Sequence, residues 1–470
     1  MASRVTSAGQ FVRFGPNRIA INSNTALRDI YGFQANVQKS PIYGILAEFM
    51  GGFNVHLSIN KEQHAFKKRV MSHAFSDHAM AGMEDHIISI VDKFTRKVTE
   101  GASTQEEAIL SNEKPQTNKR WSKAKNMADW SDYLTFDIMG TLCFGKSFGM
   151  LDTDTNRYIL DTLREATGGL HTVAHMPFLL RLRINKLLFG RVDRSMTKMK
   201  AYCEAQASER IKNDNNVKIR DFYTYLLQAK DPETGLGFTH PELAAEAGLL
   251  MIAGSDTSAV AISSTLFYLL HNPLALDQLT REIRSTFADA DDIRSGSSLN
   301  SCVYLRACID EAMRFSPPTG GILSREVLEG GITIDGHYFP KGIEMGTPHY
   351  ALHHNEQYFP DSFTYKPNRW LVDSESEVTS DSVQLARSAF CAFSMGPRGC
   401  LGKGMAYREI SIALGRLVWM YDMRLAQGTN TGQGNPSLPE GRRRPEEYQL
   451  FDVFASKAHG PMVEFSPRSD

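Results

Sequence analysis

The string Phe393-Ser-Met-Gly396-Pro-Arg398-Gly399-Cys400-Leu-Gly402 carries a thiol through a glycine-punctuated loop into a helix expected over Leu401–Tyr421. A cysteine at a helix N-terminus meets free amide N–H groups and the positive end of the helix dipole, which lower its pKa. Arg398 adds a cation two residues away, and glycines at 396, 399 and 402 permit tight turns with a flat object lying on the backbone. A thiolate prepared in this way is a nucleophile or a metal ligand. The plain alternative is a buried structural cysteine. The remaining cysteines, at 143, 203, 302, 308 and 391, form no CxxC pair. That spacing argues against a zinc ribbon, a thioredoxin-type site and a disulfide framework.

Three further groups have chemistry-bearing spacing. Asp256 and Thr257 stand at the middle of an apolar run, Ala247–Leu270, in which Asp256 is the single charge. The run is long enough to cross a membrane, but a central carboxylate beside hydroxyls at 255, 257 and 258 favours a helix through a protein core. A polar pair in such a core is functional or fully hydrogen-bonded. Glu311 and Arg314 are three residues apart, so they share a helix face and can join a charge network; alone, they read as a surface pair of small worth. His64-Ala-Phe-Lys67-Lys68-Arg69 reads as a basic helix face.

The elements that must position these residues are mostly helical. Amphipathic patterns cover 77–99, 128–146, 155–170 and 191–213, and a short helix over Ser301–Phe315 stops at Pro317-Pro318. Asp335-Gly336 predicts a tight hairpin between Ile332–Ile334 and His337–Phe339. Residues 101–120 and 427–446 read as polar surface stretches. The expected fold class is mainly α with a minor β portion, in one compact unit without internal repeats. Composition agrees: 470 residues, 42% hydrophobic and 22% charged, are enough for a large core. With 52 basic and 53 acidic residues the net charge is −1, which argues against a nucleic-acid binder. Met1–Ile30 holds no apolar run of signal-peptide or anchor length.

Phe-x-x-Gly-x-Arg-x-Cys-x-Gly, followed by Ala406, resembles the haem-binding loop of the cytochrome P450 superfamily. Three more motifs follow that family's order: Ala253-Gly-Ser-Asp256-Thr257-Ser resembles its oxygen-activation motif, Glu311-Ala-Met-Arg314 its Glu-x-x-Arg helix, and Pro367-Asn-Arg369-Trp370 the segment whose arginine completes the ion network. Weaker likeness runs from Phe11 to Phe465, so residues 1–470 are taken as a single P450 domain, with a long central helix over a haem held by the cysteine loop. The resemblance implies Cys400 as the axial thiolate on haem iron, with Phe393 and Gly402 framing its loop. It implies Asp256 and Thr257 as a proton relay, and Glu311, Arg314 and Arg369 as a structural lock. Arg398 and Arg325 are the implied haem-propionate partners. At a third propionate position relatives show Trp or His followed by Arg; here His64 and Lys68 stand there, keeping a charge without a bidentate fork.

The implied activity is insertion of one oxygen atom from O2 into an apolar small molecule, with electrons from NADPH through NADPH-cytochrome reductase. Lys67, Lys68, Arg69, Lys403 and Arg408 are expected to form the basic docking patch for that reductase. Asn126–Trp130 and Phe144–Phe148 are worded most like filamentous-fungal members, which points to secondary metabolism. A haem-thiolate isomerase, dehydratase or peroxygenase, or a truncated non-catalytic haem-binding protein, are the rival readings; the intact Asp256-Thr257 pair favours the oxygen-dependent route. Eukaryotic relatives carry an N-terminal anchor and hinge, of which this sequence shows none. The expectation is therefore the cytosolic face of the endoplasmic reticulum if the anchor was trimmed, and the cytoplasm otherwise. Residues 176–189, apolar with Arg181, Arg183 and Lys186 interleaved, suit either a lipid headgroup boundary or a lid over the pocket.

Overall fold

Thr239 and Asn272 bracket the helix on which the architecture is built. The Thr239 N–H donates to Glu242 Oε2 at 3.0 Å, and Pro241 occupies the first turn, so the helix begins at His240, earlier than the apolar run alone suggests. It ends at His271, and Pro273 opens the next helix, Pro273–Thr286. Its length and hydropathy would serve a membrane crossing, yet 72% of its most apolar window is buried inside the molecule. It is packed as a core helix, as Asp256 and its hydroxyl neighbours suggested.

This arrangement comes from a computed structural model, which describes residues 9–50, 52–100, 120–176, 190–212, 221–373 and 378–468. The expected surface stretch 101–120, Arg120 excepted, and the amphipathic stretch 176–189, Met176 excepted, lie outside the described residues. Helix makes up 54% and strand 11%, a mainly α fold as expected. The amphipathic patterns resolve as Asp77–Thr99, Met127–Phe144, Tyr158–His175 and Gly190–Lys212. The central helix lies along Met127–Phe144 and also touches Val303–Phe315 and Lys403–Met420. The last of these starts later than the expected Leu401, because Cys400–Gly402 turn outside helical hydrogen bonding.

The β portion is spread over small sheets. The largest orders its strands Phe11–Gly15, Arg18–Ile21, Glu344–Gly346, Arg325–Val327 and Val37–Lys39. Its register sets Lys39 directly opposite Arg325 in an antiparallel pair. The expected hairpin Ile332–Ile334/His337–Phe339 forms, with Asp335 at φ 49° and Gly336 at φ 79°, the left-handed pair such a turn requires. A short ribbon pairs Leu450–Phe451 with Lys457–Ala458. Residues 427–446 carry neither helix nor strand.

Candidate functional site

Between the cysteine loop and the central helix lies a cavity of about 790 Å³. Cys400, Phe393, Gly399 and Gly402 form one wall, and Ala253, Asp256 and Thr257 form another. The loop is folded by its own backbone. Cys400 N–H donates to the Phe393 carbonyl at 2.9 Å and Gly399 N–H to that of Gly396 at 3.0 Å. Gly396 sits at φ 66°, and a Cβ there would collide with the Tyr31 carbonyl, so no other residue fits the turn. The Phe393 ring packs on Tyr407 with centroids 5.0 Å apart, fixing the loop's entry.

Cys400 is exposed, into the cavity. A helix N-terminus predicts a lowered pKa for this thiol; the structure reverses that direction. Burial pushes the thiol up, and the N–H groups of Gly402 and Lys403 with the Lys68 and Lys403 ammonium groups offset it only in part. Arg398 takes no part, because its guanidinium turns away to the carbonyls of Ser58 and Ile59, the second at 3.0 Å. A bound cation at the sulfur would supply what the surroundings lack. Among the described residues no cluster of three or more His, Cys, Asp or Glu could hold a bare metal ion. Cys400 therefore suits a metal that arrives with its other ligands already in place.

Four cations gather at one end of the cavity: Lys39, Lys68, Arg325 and Arg398. Each donates to main-chain carbonyls: Lys39 to His56, Lys68 to Pro397 at 2.7 Å, and Arg325 to Leu323 at 2.9 Å. Among the described residues no carboxylate pairs with any of the four. Like charges directly across a strand pair, as Lys39 and Arg325 are, destabilise one another. Burial and neighbouring Arg325 push Arg398 down to about 10, and burial with these cations pushes His64 down to about 3. A ligand bearing two carboxylates would relieve this concentration of charge, so the residues present fit haem with its propionates. His64, Lys68, Arg325 and Arg398 were all singled out from the sequence; Lys39 and the buried His56 were not. Only the strand register, which sequence spacing does not display, brings Lys39 to the site.

Opposite the sulfur, Thr257 Oγ1 donates to the Ala253 carbonyl at 2.7 Å, leaving its lone pairs available. Asp256 is buried; its Oδ1 accepts from Lys457 Nζ at 2.6 Å, while its Oδ2 has no partner. Lys457 was missed as well, since nothing in the chain near residue 457 marks it.

Glu311, Arg314 and Arg369 come together behind the loop. Glu311 accepts from Arg314 twice at 2.9 Å, from Arg369 Nε at 3.0 Å and from Trp370 Nε1 at 3.0 Å, all with the carboxylate fully buried. The surface-pair alternative is thereby excluded. His353 links this network to the cysteine loop: its ring bonds the Arg314 carbonyl at 3.1 Å and accepts the Cys391 N–H at 2.9 Å.

The expected docking patch needs correction. Lys67 is buried, 3.1 Å from Glu246 and 3.3 Å from Glu242, because its helix faces the start of the central helix. Arg69 pairs with Asp231 and Glu233, and Arg408 lies near Glu84. Lys403 alone of the five is exposed and, among the described residues, outside an ion pair, with Lys68 half-buried at the cavity.

The sequence model of the cytochrome P450 family matches residues 16–450. A cytochrome P450 monooxygenase of Alternaria alternata, AKT7, is 36% identical over 463 residues, covering 97% of this chain and 85% of that protein. One from Gibberella zeae is 36% identical over 442 residues, covering 94% and 97% respectively. The Penicillium oxalicum monooxygenase poxM is 34% identical over 458 residues, covering 97% and 82%.

Proposed function

The chain belongs to the cytochrome P450 family and is a haem-thiolate monooxygenase, and from that premise we propose that Cys400 would hold the haem iron and that the cavity takes an apolar substrate on the Asp256–Thr257 side. Bound haem supplies the redox chemistry by which one atom of O2 enters the substrate and the other leaves as water. The chain's own work is positional. Cys400 would hold the iron from the loop side, with Phe393 and Gly402 shaping that loop, and Lys68, Arg325, Arg398 and Lys39 would hold the propionates, beside His64. Glu311, Arg314 and Arg369 keep the loop rigid through His353. Thr257 offers a hydroxyl and Asp256 a titratable carboxyl on the wall where protons are needed. Leu46, Met139, Leu163, Met199, Leu249 and Ile252 give the remaining wall apolar surface.

Family membership implies a redox partner, and NADPH-cytochrome reductase is the partner we assign, docking beside exposed Lys403. The fungal relatives support an apolar secondary metabolite as substrate. The cytosolic face of the endoplasmic reticulum is the location that would bring enzyme and reductase together.

The observation that carries this reading is one cavity with a thiol on one wall, an acid and a hydroxyl on another, and four carboxylate-free cations at one end. Its test is the spectrum of the haem-loaded protein after reduction and carbon monoxide addition. The unaltered chain should give the red-shifted Soret band of a thiolate ligand, and Cys400→Ser should lose it. Retention of that band in Cys400→Ser would move the ligand to another cysteine.

A further inference from the structure

Lys457 belongs to a ribbon whose tip touches the cavity, while its ammonium holds the carboxylate of Asp256. We propose that Lys457 is a positioning residue for Asp256, and that it ties the state of that carboxylate to occupancy of the cavity by an apolar ligand. The inference rests on the reading of Asp256 as a proton-delivering group.

The ion pair joins residues 201 positions apart, at 2.6 Å, with Asp256 fully buried and Lys457 partly exposed. Such a pair holds because an uncompensated carboxylate in a core is costly. Only Oδ1 is engaged. Oδ2 is unpartnered, and Asp256 and Thr257 both line the cavity.

The ribbon connects that ion pair to a ligand. Phe451 stands opposite Lys457 in the pairing register, and the tip residues Phe454 and Ala455 line the cavity. Phe454 adopts φ 81°, a conformation that a bulky side chain holds only under constraint. Its ring meets His56 edge-on, with centroids 5.3 Å apart. Between tip and lysine, Ser456 is pinned by its N–H to the Pro318 carbonyl at 2.7 Å. A ligand pressing on Phe454 therefore acts on one side of a fixed point and Lys457 responds on the other.

The pair also has charged neighbours toward the surface. Arg164 donates to Asp132 at 2.6 Å, and Arg164 is partly exposed beside Asp161 at the surface. Burial and the Asp256 carboxylate push Asp132 up, while Lys457 and Arg164 pull it down, so the four groups sense one another. Asp256 and Lys457 thus share their electrostatic surroundings with Asp132 and with an arginine that reaches the surface. In the ligand-free state the lysine holds the carboxylate back; with the tip displaced, it is released.

The test uses the haem-loaded full chain and 1-dodecylimidazole, whose alkyl chain fills the apolar cavity. The readout is the infrared carboxylate stretch of Asp256, identified by its loss in Asp256→Asn. In the unaltered protein, adding the probe should shift that band. Lys457→Met should lose the probe-induced shift, and Lys457→Arg should keep it. Phe454→Gly, which leaves the ion pair in place and relaxes the tip, should also lose it. A probe-induced shift that persists in Lys457→Met, or in Phe454→Gly should Lys457→Met fail to fold, overturns the proposal. The reading beneath it is tested separately, by the solvent deuterium isotope effect on NADPH-driven peroxide release with reductase present. An unchanged isotope effect in Asp256→Asn removes Asp256 from proton delivery while leaving the mechanical link measurable in the infrared.

Discussion

Glu409 projects from the Lys403–Met420 helix into the cavity wall, where its Oε2 has no hydrogen-bond partner. Burial pushes its carboxyl up to about 8, opposed only by the Ser258 hydroxyl on the central helix. The consequence for stability has a definite sign. The unfolded chain ionises this group near 4.5, whereas the folded chain keeps it protonated to about 8. Over that window the unfolded state binds fewer protons, so stability falls as pH rises from 4.5 to about 8 and levels off above. At roughly 1.4 kcal/mol per pH unit, the loss is at most about 5 kcal/mol. Glu409→Gln keeps the shape and removes the titration. Urea unfolding across that pH range should find the variant more stable at the alkaline end, with the difference vanishing near the acid end. A difference independent of pH would mean that Glu409 is not held neutral.

The buried triad acts between elements, joining the Val303–Phe315 helix to the Pro367–Trp370 turn and, through His353, to the segment entering the cysteine loop. Glu311→Ala would leave Arg314 and Arg369 in a dry site without their carboxylate, which costs about 3–5 kcal/mol. Glu311→Gln can still accept from Trp370 and the Lys366 N–H, and should lose less. The expected order in urea midpoint and in yield of haem-loaded protein is unaltered chain, then Gln, then Ala; equal values for all three would reduce the network to bystander status. At this scale the sequence was readable wherever a period or a local spacing carried the information. The four amphipathic helices follow from 3.6-residue patterning, and the hairpin from Asp335-Gly336. What escaped were contacts set by tertiary placement: His353 under Arg314, Lys39 across from Arg325, Lys457 beside Asp256, and Lys67 turned inward to Glu246. The direction of the Cys400 shift escaped for the same reason. A helix N-terminus is visible in a sequence; the desolvation that outweighs it is not.

Across the whole molecule, cations converge from distant parts of the chain on one end of the cavity: Lys39 from an N-terminal strand, Lys68 from a helix, Arg325 from the mid-chain sheet and Arg398 from the cysteine loop. Assembling them without carboxylates works against folding. Burial with the charges of Arg325 and Arg398 drives Lys39 well below the ordinary lysine range. Haem propionates would reverse that balance, and a ligand that binds only the folded state stabilises it in proportion to the logarithm of its concentration over Kd. Lys39→Met keeps much of the stem's volume and deletes a charge facing Arg325 across the strand pair. It should therefore move two stabilities in opposite directions. Without haem the variant should unfold at higher urea than the unaltered chain, because one member of a repelling set is gone. With haem the gain on binding should shrink, because one propionate partner is gone. Haem dimethyl ester, whose propionates carry no charge, separates the causes: it should stabilise the unaltered chain less than haem does, and the two chains about equally. If Lys39→Met lowered stability without haem and left the haem-induced gain intact, Lys39 would be a packing residue, and the charge at that end of the cavity would belong to Lys68, Arg325 and Arg398.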